Sequence, residues 1–497
     1  MLDAALSGLL QVLSPDAMGL MLIGIAIGFA VGVLPGLGGA VTMALMLPFT
    51  YGMQPIQAFA FLLGMKVVTS TTGDVTSVLF GIPGEPTSAA TVLDGHPMAR
   101  KGQAGRALGI VLASSLFGAI IGALVLAASI PFIRPIVLAF GPPEFFMLTV
   151  VGLTFIASLS QGQMVKGMLL GVLGLMLALV GIDPQAGVPR YTFGYLELWD
   201  GIDIIPIVIG LFGGPEILQL MLSKNSIASS GNSQKIEGVG AGLIDTLRHW
   251  KSVITAGAIG AGIGVIPGVG GSVAQFIAYG HAKQVSKTPE EFGKGSVEGL
   301  IAAAGNNNAK ESGSLVPMIA FGLPGSVSTA ILLNAFLVTG INPGPEMLTT
   351  HLDVTFSMVW IAIIANIIVV LIALPLLRPL ARLTFTEGPV LVPFLIILVV
   401  LGAYSENNSM MDVWVMLGAA VFGVICLRWN WPRVPLLLGL VLGDLCERYL
   451  FLSNSLYGWS WVQRPLVLLF AAMTLLIFIR AGWHGVKHWR QLRREHA

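Results

Sequence analysis

Breaks that contain glycine and proline occur twice, in the same order, within long apolar stretches of this 497-residue chain. The segment Gly-Val-Leu-Pro-Gly-Leu-Gly-Gly at 32–39 returns as Gly-Val-Ile-Pro-Gly-Val-Gly-Gly at 264–271. Phe-Gly-Ile-Pro-Gly at 80–84 follows the first copy, and Phe-Gly-Leu-Pro-Gly at 321–325 follows the second. Glycine and proline weaken helices, and broken backbone at membrane depth is tolerated only where protein buries it or where it lines a cavity. The paired breaks therefore predict a duplicated membrane domain of the kind found in secondary transporters.

The composition agrees with a protein embedded in a membrane. Hydrophobic residues make up 55% of the chain and charged residues 10%, and the mean hydropathy is +0.85. Several uncharged runs are long enough to cross a bilayer as helices, which takes about 20 residues each. We expect an all-α polytopic membrane protein with an inverted-topology repeat, paired broken or re-entrant helices and about 10–12 membrane segments. The N-terminus lacks the features of a cleaved signal peptide, so none is expected.

The distribution of charge in the loops predicts the orientation of the chain. Basic loops face the cytoplasm, and the loop at 94–106 after the first pair of breaks is basic. Its counterpart at 340–353 is acidic, which gives the two halves opposite orientations. We expect four spans after each pair of breaks and one more at the end, near 107–133, 144–161, 166–182, 203–222, 354–374, 388–405, 412–427, 434–451 and 464–481.

The same threading divides the chain into four parts. Residues 1–222 form the first inverted repeat, 223–251 a cytoplasmic linker and 252–463 the second repeat. Residues 464–497 add a C-terminal helix and a basic cytoplasmic tail. The N-terminus is expected on the periplasmic side.

The breaks are the predicted substrate site, because broken helices present N-terminal amides to anions and free carbonyls to cations. The candidate backbone positions are Pro35, Gly36, Gly38, Gly39, Gly84, Gly268, Gly270, Gly271 and Gly325. The candidate hydroxyls that follow the breaks are Thr42, Thr87, Ser88, Ser272, Ser326 and Ser328. Two simpler readings stay open: the glycines could pack helices together, and the hydroxyls could bond to their own backbone.

Ionisable and amide side chains inside apolar segments are further candidates. Lys66 is expensive to bury and is a predicted substrate ligand, with an ion pair to Asp74 or Glu85 as the alternative. Asn306, Asn307, Asn308 and Ser312 offer oxygens that sodium prefers, and hydrogen bonding between helices is their alternative role.

The segments quoted above make the chain resemble the large permease subunit of the tripartite tricarboxylate transporters, the TctA family. The resemblance is carried by 32–39, 80–86, 267–271, 306–309, 312–317, 321–326, and 438–443 with Glu447-Arg448. It implies a bacterial inner-membrane system with a small four-helix membrane subunit (TctB-like) and a periplasmic solute-binding protein (TctC-like). It also implies ion-driven uptake, usually sodium-coupled, of di- or tricarboxylates or related organic acids. This chain departs from the family pattern at Lys66 with 69–72 and at 302–305.

The combined prediction is a symporter, not an enzyme, that works by elevator-like alternating access and needs no cofactor besides a coupling ion. Sodium is the expected ion, protons are the alternative, and a homodimer is a candidate assembly. A passive organic-anion channel or facilitator would need a continuous polar pore, whereas the sequence shows scattered small polar groups. A membrane-embedded enzyme or a non-transport scaffold is the remaining class, and the sequence carries no recognisable catalytic cluster.

Overall fold

A computed structural model describes residues 1–32, 38–81, 83–158, 164–183, 185–222, 237–266, 271–383, 388–405 and 409–476. Nearly all of these residues are helical. The strands in this part of the chain are Gly181–Ile182 and Pro189–Arg190, which pair antiparallel with Gly181 opposite Arg190. The expectation of an all-α polytopic membrane protein is confirmed.

Ten α-helices lie in the described part of the chain before residue 223. They are α1 (Leu2–Val12), α2 (Pro15–Gly32), α3 (Gly39–Met46), α4 (Pro55–Phe80), α5 (Ala89–Met98), α6 (Ala104–Leu138), α7 (Pro142–Ser158), α8 (Met164–Ala178), α9 (Ile204–Val208) and α10 (Gly214–Leu222). Single turns of 3₁₀-helix cover Leu47–Thr50, Pro86–Ser88 and Leu196–Leu198, and π-helical turns cover Ala99–Gln103 and Ile209–Gly213.

The later helices repeat this order. They are α11 (Val239–Arg248), α12 (Trp250–Gly264), α13 (Gly271–Val285), α14 (Val297–Phe321), α15 (Val327–Val338), α16 (Leu352–Leu383), α17 (Gly388–Ser405), α18 (Met410–Arg428) and α19 (Val434–Tyr457). An apolar helix also covers Pro465–Leu476. Short 3₁₀ turns lie at Pro289–Glu291, Pro345–Leu348 and Gly458–Gln463. Helices overlap every one of the nine spans expected from the sequence.

The helix ends at the breaks follow from local chemistry. Gly81 and Gly322 cap α4 and α14 in the left-handed conformation, with φ of 69° and 68°. Glycine adopts this conformation without steric cost and commonly ends helices. On the far side of each break, Glu85 and Ser326 are N-caps of the next helical turn in a reciprocal capping box. The second break thus has the same design in both halves.

The two halves are interlocked, because the long helix of each packs on the broken helices of the other. Helix α6 packs most extensively on α14, and α16 packs on α4. The short amphipathic helices cross over as well, since α1 packs on α16 and α11 on α6.

The remaining helices form a second group. Helix α19 packs on α7 and α8, and α18 packs on α9, α10 and the π-turn Ile209–Gly213. Helices α3 and α15 contact both groups. The helices that lead into the breaks therefore belong to one packed body and α7–α10 with α17–α19 to another, while α3 and α15 lie between the two.

Four helical segments in the described part of the chain are long and apolar enough to cross a membrane: Pro15–Gly32, Ala89–Leu138, Leu352–Leu376 and Met410–Arg428. Shorter apolar helices include Gly39–Thr50, Val165–Ala178 and Val327–Val338. Short helices of this kind fit broken segments that cross only part of a bilayer.

Candidate functional site

The flanks of the four breaks come together across the two halves. In the first half, the Gly39 amide donates a hydrogen bond to Glu85 Oε2 at 3.3 Å, which joins the two breaks. In the second half, the two breaks are also close together. A Cβ atom added to Gly325 would lie 3.3 Å from the carbonyl oxygen of Gly264. Between the halves, α3 packs on α15, and α13 packs on α5 and on the turn Pro86–Ser88. The described flanks thus form one cluster.

A buried cation, Lys66, lies beside this cluster and is close to carboxylates from both halves. Its Nζ donates to Glu85 Oε2 at 3.0 Å and to Oε1 at 3.2 Å. The same Nζ lies 3.7 Å from Glu311 Oε1, which Lys310 also approaches at 3.3 Å. A buried charge is tolerated where it is paired and hydrogen-bonded, and these contacts satisfy Lys66. The structure therefore shows the alternative role expected for Lys66, an ion pair with Glu85. It also places a second carboxylate, Glu311, near the same ammonium group.

A cavity of about 40 Å³ adjoins Lys66. Its polar wall groups come from α4, α14, α15 and α16 and are Lys66, Ser70, Asn308, Glu311, Ser312, Ser328, Thr329 and Asn366. Two of these groups, Ser70 Oγ and Asn308 Oδ1, are buried; Asn308 Oδ1 has no hydrogen-bond partner among the described residues, and Ser70 Oγ interacts with the Glu85 carboxylate. Leaving a buried polar atom unpaired costs about 1–3 kcal/mol. Asn308 Oδ1 is therefore a candidate ligand for a cation or for water.

The three consecutive asparagines point to different neighbours, because successive helix positions are about 100° apart. Asn306 Nδ2 donates to a backbone carbonyl of α12 at 3.3 Å. Asn307 Nδ2 donates to Asp74 Oδ2 at 3.3 Å, and Asn308 Nδ2 to Asn366 Oδ1 at 2.8 Å. Hydrogen bonding between helices thus uses all three NH2 groups, whereas the three Oδ1 atoms are buried without a partner among the described residues. Asn308 is the member of the trio that lines the cavity.

The predicted hydroxyls of the first half bond within their own segments. Thr42 Oγ1 lies 3.2 Å from the Gly38 carbonyl oxygen, to which it donates. Thr87 Oγ1 donates to Glu85 Oε1 at 2.8 Å, and Ser88 Oγ donates to the Glu85 carbonyl oxygen at 2.8 Å. These groups stabilise the breaks and surround Glu85.

The predicted hydroxyls of the second half lie nearer the cavity. Ser328 and Ser312 both line it. Ser326 caps α15, and its Oγ accepts a hydrogen bond from the Thr329 amide at 3.2 Å. Ser312 Oγ lies 3.5 Å from the Asn308 carbonyl oxygen, at the limit of a hydrogen bond.

Several predicted positions fall outside the described residues, namely Pro35, Gly36, Gly268, Gly270 and the side chain of Ser272. Gly38 precedes α3 as its N-cap, Gly39 is its first residue, and Gly271 begins α13. The segments that follow the left-handed glycines, 83–88 and 323–328, are called the first-half tip and the second-half tip. Gly84 donates a backbone hydrogen bond to the Gly73 carbonyl oxygen at 3.3 Å, which holds the first-half tip against α4.

A second buried carboxylate fixes the start of α14. Asp94 Oδ1 accepts hydrogen bonds from the amides of Gly293, Gly295 and Ser296 at 2.8–2.9 Å. Its Oδ2 accepts one from the Tyr279 hydroxyl at 2.8 Å. Because Asp94 belongs to the first half and its four donors to the second, this carboxylate fastens the halves together.

We expect Asp94→Ala to lower the free energy of unfolding by about 3 kcal/mol or more, because it leaves three amides and a hydroxyl without their charged acceptor. Tyr279→Phe removes one donor and should cost about 1–2 kcal/mol. Denaturant unfolding of the purified variants measures both values. Equal losses in the two variants would contradict the role given to Asp94 Oδ1.

A larger recess of about 290 Å³ lies at the opposite end of α12 and α13 from the breaks. Its lining includes the ionisable residues Lys251, His281, Lys287 and Glu298. The sequence prediction places this end on the cytoplasmic side.

Comparison with known proteins identifies the family. A sequence model described as the tripartite tricarboxylate transporter TctA family matches residues 18–438. The chain belongs to this family. TctA membership confirms the resemblance found from the sequence motifs, and it agrees with the apolar helices in indicating a multi-pass membrane transport protein. The chain is thus a large-subunit-type member of a transporter that has further subunits.

Two relatives of this chain come from Agrobacterium vitis. One, described as an uncharacterized 52.8 kDa protein in the TAR-I ttuC' 3'region, is 34% identical over 428 residues, or 86% of this chain and 85% of the relative. The other, an uncharacterized protein in the TAR-II ttuC' 3'region, is 34% identical over 191 residues, or 38% of this chain and 79% of the relative. No solved structure matches this chain.

Proposed function

We propose that this TctA protein is the large permease subunit of a secondary transporter that takes up a di- or tricarboxylate or a related organic acid, coupled to sodium. The observation that carries this proposal is the cavity at the meeting point of the broken helices. Helix N-termini and a buried lysine attract carboxylates, and broken backbone at membrane depth is expected where a substrate binds.

The carboxylate site is assigned to the second-half tip and to Lys66. Ser326 and Ser328 open α15, whose first-turn amides and hydroxyls can donate to an anion. Lys66 lies in the same cavity wall as Ser328, where its charge is shared with Glu85 and Glu311. Hydroxyl and amide donors orient a carboxylate, and the lysine adds charge attraction across a medium of low dielectric constant.

The sodium site is assigned to oxygens of the same cavity. Asn308 Oδ1 is buried and unpaired within the described part of the chain, and Ser70 and Ser312 lie in the same cavity wall. Sodium is a hard cation that prefers oxygen ligands, as other hard cations do. Asn306 and Asn307 also have buried, unpaired Oδ1 atoms among the described residues, but they do not line the cavity and are left out of this assignment.

We expect Asn308→Ala to raise the half-saturating sodium concentration about tenfold, which corresponds to about 1.4 kcal/mol for one lost ligand. Asn306→Ala is the matched control, because it removes a neighbouring amide that bonds to another helix and should leave sodium dependence unchanged. Initial uptake rates over a range of sodium concentrations measure the effect. If uptake by the unmodified protein depends on protons and not on sodium, the proposed coupling ion is wrong. The proposal that the protein is a transporter would still stand.

Movement is part of the proposal, because the cavity of about 40 Å³ is small for a dicarboxylate. One water needs about 10–15 Å³ by this measure, so the space suits an ion or a few waters. The substrate therefore requires the tips to separate. The helices that lead into the breaks pack into one body and α7–α10 with α17–α19 into another, which favours elevator-like motion between the two bodies.

The remaining parts of the system are proposed from family membership. They are a small TctB-like membrane subunit, a periplasmic TctC-like binding protein and an inner-membrane location with the C-terminus in the cytoplasm. The matching order of helices in the two halves supports a repeat, and the opposite charge of the loops at 94–106 and 340–353 supports its inverted topology. A homodimer is a further proposal that cross-linking in membranes can test.

Uptake into right-side-out vesicles tests the function. Vesicles with both membrane subunits receive the binding protein and radiolabelled citrate or succinate, with and without a sodium gradient. Concentrative uptake that needs both the gradient and the binding protein supports the proposal. Downhill flux alone would indicate a passive facilitator, and no flux of any labelled organic acid would favour a non-transport role.

A further inference from the structure

The first-half tip contains a complete anion-binding arrangement that already holds a carboxylate of the protein itself. Glu85 Oε2 accepts from Lys66 Nζ at 3.0 Å and from the Gly39 amide at 3.3 Å. Glu85 Oε1 accepts from Lys66 Nζ at 3.2 Å and from Thr87 Oγ1 at 2.8 Å. The side chains of Lys66 and Glu85 are each only 6% exposed. A lysine, the first-turn amide of a helix and a hydroxyl together are the donors expected around a bound carboxylate ligand.

The equivalent positions in the second half lack this carboxylate and this lysine. Counting from the left-handed glycines Gly81 and Gly322, the counterpart of Glu85 is Ser326, and the counterpart of Lys66 is Asn307. Both Glu85 and Ser326 are N-caps within capping boxes, so the backbone frame is shared while the charge differs. The two tips therefore share a backbone arrangement, but only the first-half tip contains a carboxylate of the protein.

We propose that Glu85 is a tethered carboxylate that occupies the anion site of the first-half tip, so that this tip is filled and the second-half tip is the one open to a substrate carboxylate. The first clause rests on the contacts of Glu85 alone. The second clause rests on the proposed transport function. One consequence is that the two halves differ in substrate binding. Each chain would bind one substrate carboxylate, at the second-half tip.

Rescue by a small carboxylate tests the first clause directly. Glu85→Ala leaves a space the size of the lost carboxylate beside Lys66, the Gly39 amide and Thr87. We expect this variant, purified in detergent, to melt at a lower temperature than the wild type. Potassium formate should shift its melting temperature upward in a saturable way, compared with potassium chloride at the same ionic strength. The formate then occupies the site that Glu85 vacated.

Two matched variants show whether the effect is specific. Glu85→Gln fills the same space with an amide. Neither this variant nor the wild type should show a formate-dependent shift in melting temperature. Glu311→Ala removes the other carboxylate near Lys66, which lacks the Gly39 and Thr87 donors, and should respond to formate much less than Glu85→Ala. A shift of the same size in all four proteins would overturn the proposal. So would the absence of a shift in Glu85→Ala, or a failure to recover this variant even from membranes extracted in formate.

The melting experiment needs no transport, so its outcome is independent of the proposed function. A formate-dependent shift without any uptake by the wild type would support the tethered carboxylate and contradict the transporter. Wild-type uptake without a formate-dependent shift in Glu85→Ala would support the transporter and contradict the tethered carboxylate.

Discussion

Lys66→Met is expected to lose about 3–5 kcal/mol of stability, and the double variant Lys66→Met/Glu85→Gln to recover most of it. Removing one partner of a buried ion pair leaves an uncompensated charge, whereas replacing both by neutral groups of similar size is often close to neutral. Lys66 and Glu85 meet these conditions, because they pair at 3.0 Å and are both nearly inaccessible. Thermal unfolding of the two single variants and the double variant forms a double-mutant cycle that measures the coupling.

Uptake should not recover together with stability. Lys66 also lines the cavity, where its charge is proposed to attract the substrate carboxylate. We therefore expect the stable double variant to transport at least about tenfold more slowly than the wild type, a loss that corresponds to about 1.4 kcal/mol. Normal uptake by the double variant would mean that Lys66 has only a structural role. Lys310→Met is a useful comparison, since it removes the other lysine near Glu311 and leaves the Lys66–Glu85 pair intact.

The positions of the membrane helices were well predicted because the signal for them is local. The uncharged run near 107–133 lies within α6, and the expected spans 354–374 and 412–427 lie within α16 and α18. Long apolar runs separated by charged loops define such helices without reference to the rest of the chain. The Gly-x-Pro-Gly sequences indicated the second breaks, but not that Gly81 and Gly322 are the glycines in the left-handed conformation.

The contacts across the halves could not be predicted, because they join residues far apart in sequence. Glu311 lies 3.7 Å from Lys66 although 245 positions separate the two residues. No periodicity in the sequence indicates that α6 packs on α14 or that α1 packs on α16. Glu85 carried a signal that can be read in retrospect, since it directly follows a helix break that presents amide donors.

The asparagine cluster shows how adjacency in sequence misleads for a helix. Three consecutive amides suggest one shared ligand, but a helix turns them toward three neighbours. Asn306 bonds to α12, Asn307 to Asp74 and Asn308 to Asn366. Residues three or four apart share a helix face, which is why Asn308 and Ser312 line the same cavity.

The second large effect is expected at Gly84, where space rather than backbone conformation requires glycine. Its φ is not among the left-handed values, but a Cβ would lie 2.5 Å from the Gly73 Cα and 2.7 Å from Thr76 Oγ1. The Gly84 amide also bonds to the Gly73 carbonyl oxygen, so the tip cannot move away without losing that bond. Gly84→Ala should therefore displace the tip, and with it Glu85, from α4.

We expect Gly84→Ala to reduce uptake at least tenfold and to lower stability by about 1–3 kcal/mol, the usual cost of overpacking. Gly325→Ala should have the smaller effect, because its Cβ would lie 3.0 Å from the Ser314 Cβ and 3.3 Å from the Gly264 carbonyl oxygen. Gly262→Ala is the control, since a Cβ there meets no atom within 4 Å and alanine favours the helix. Uptake and melting temperature of the three variants are compared at equal membrane expression. Gly84 and Gly325 occupy equivalent places in the two tips. A larger loss of uptake and stability in Gly325→Ala than in Gly84→Ala would show that these distances do not determine the effect of the substitutions.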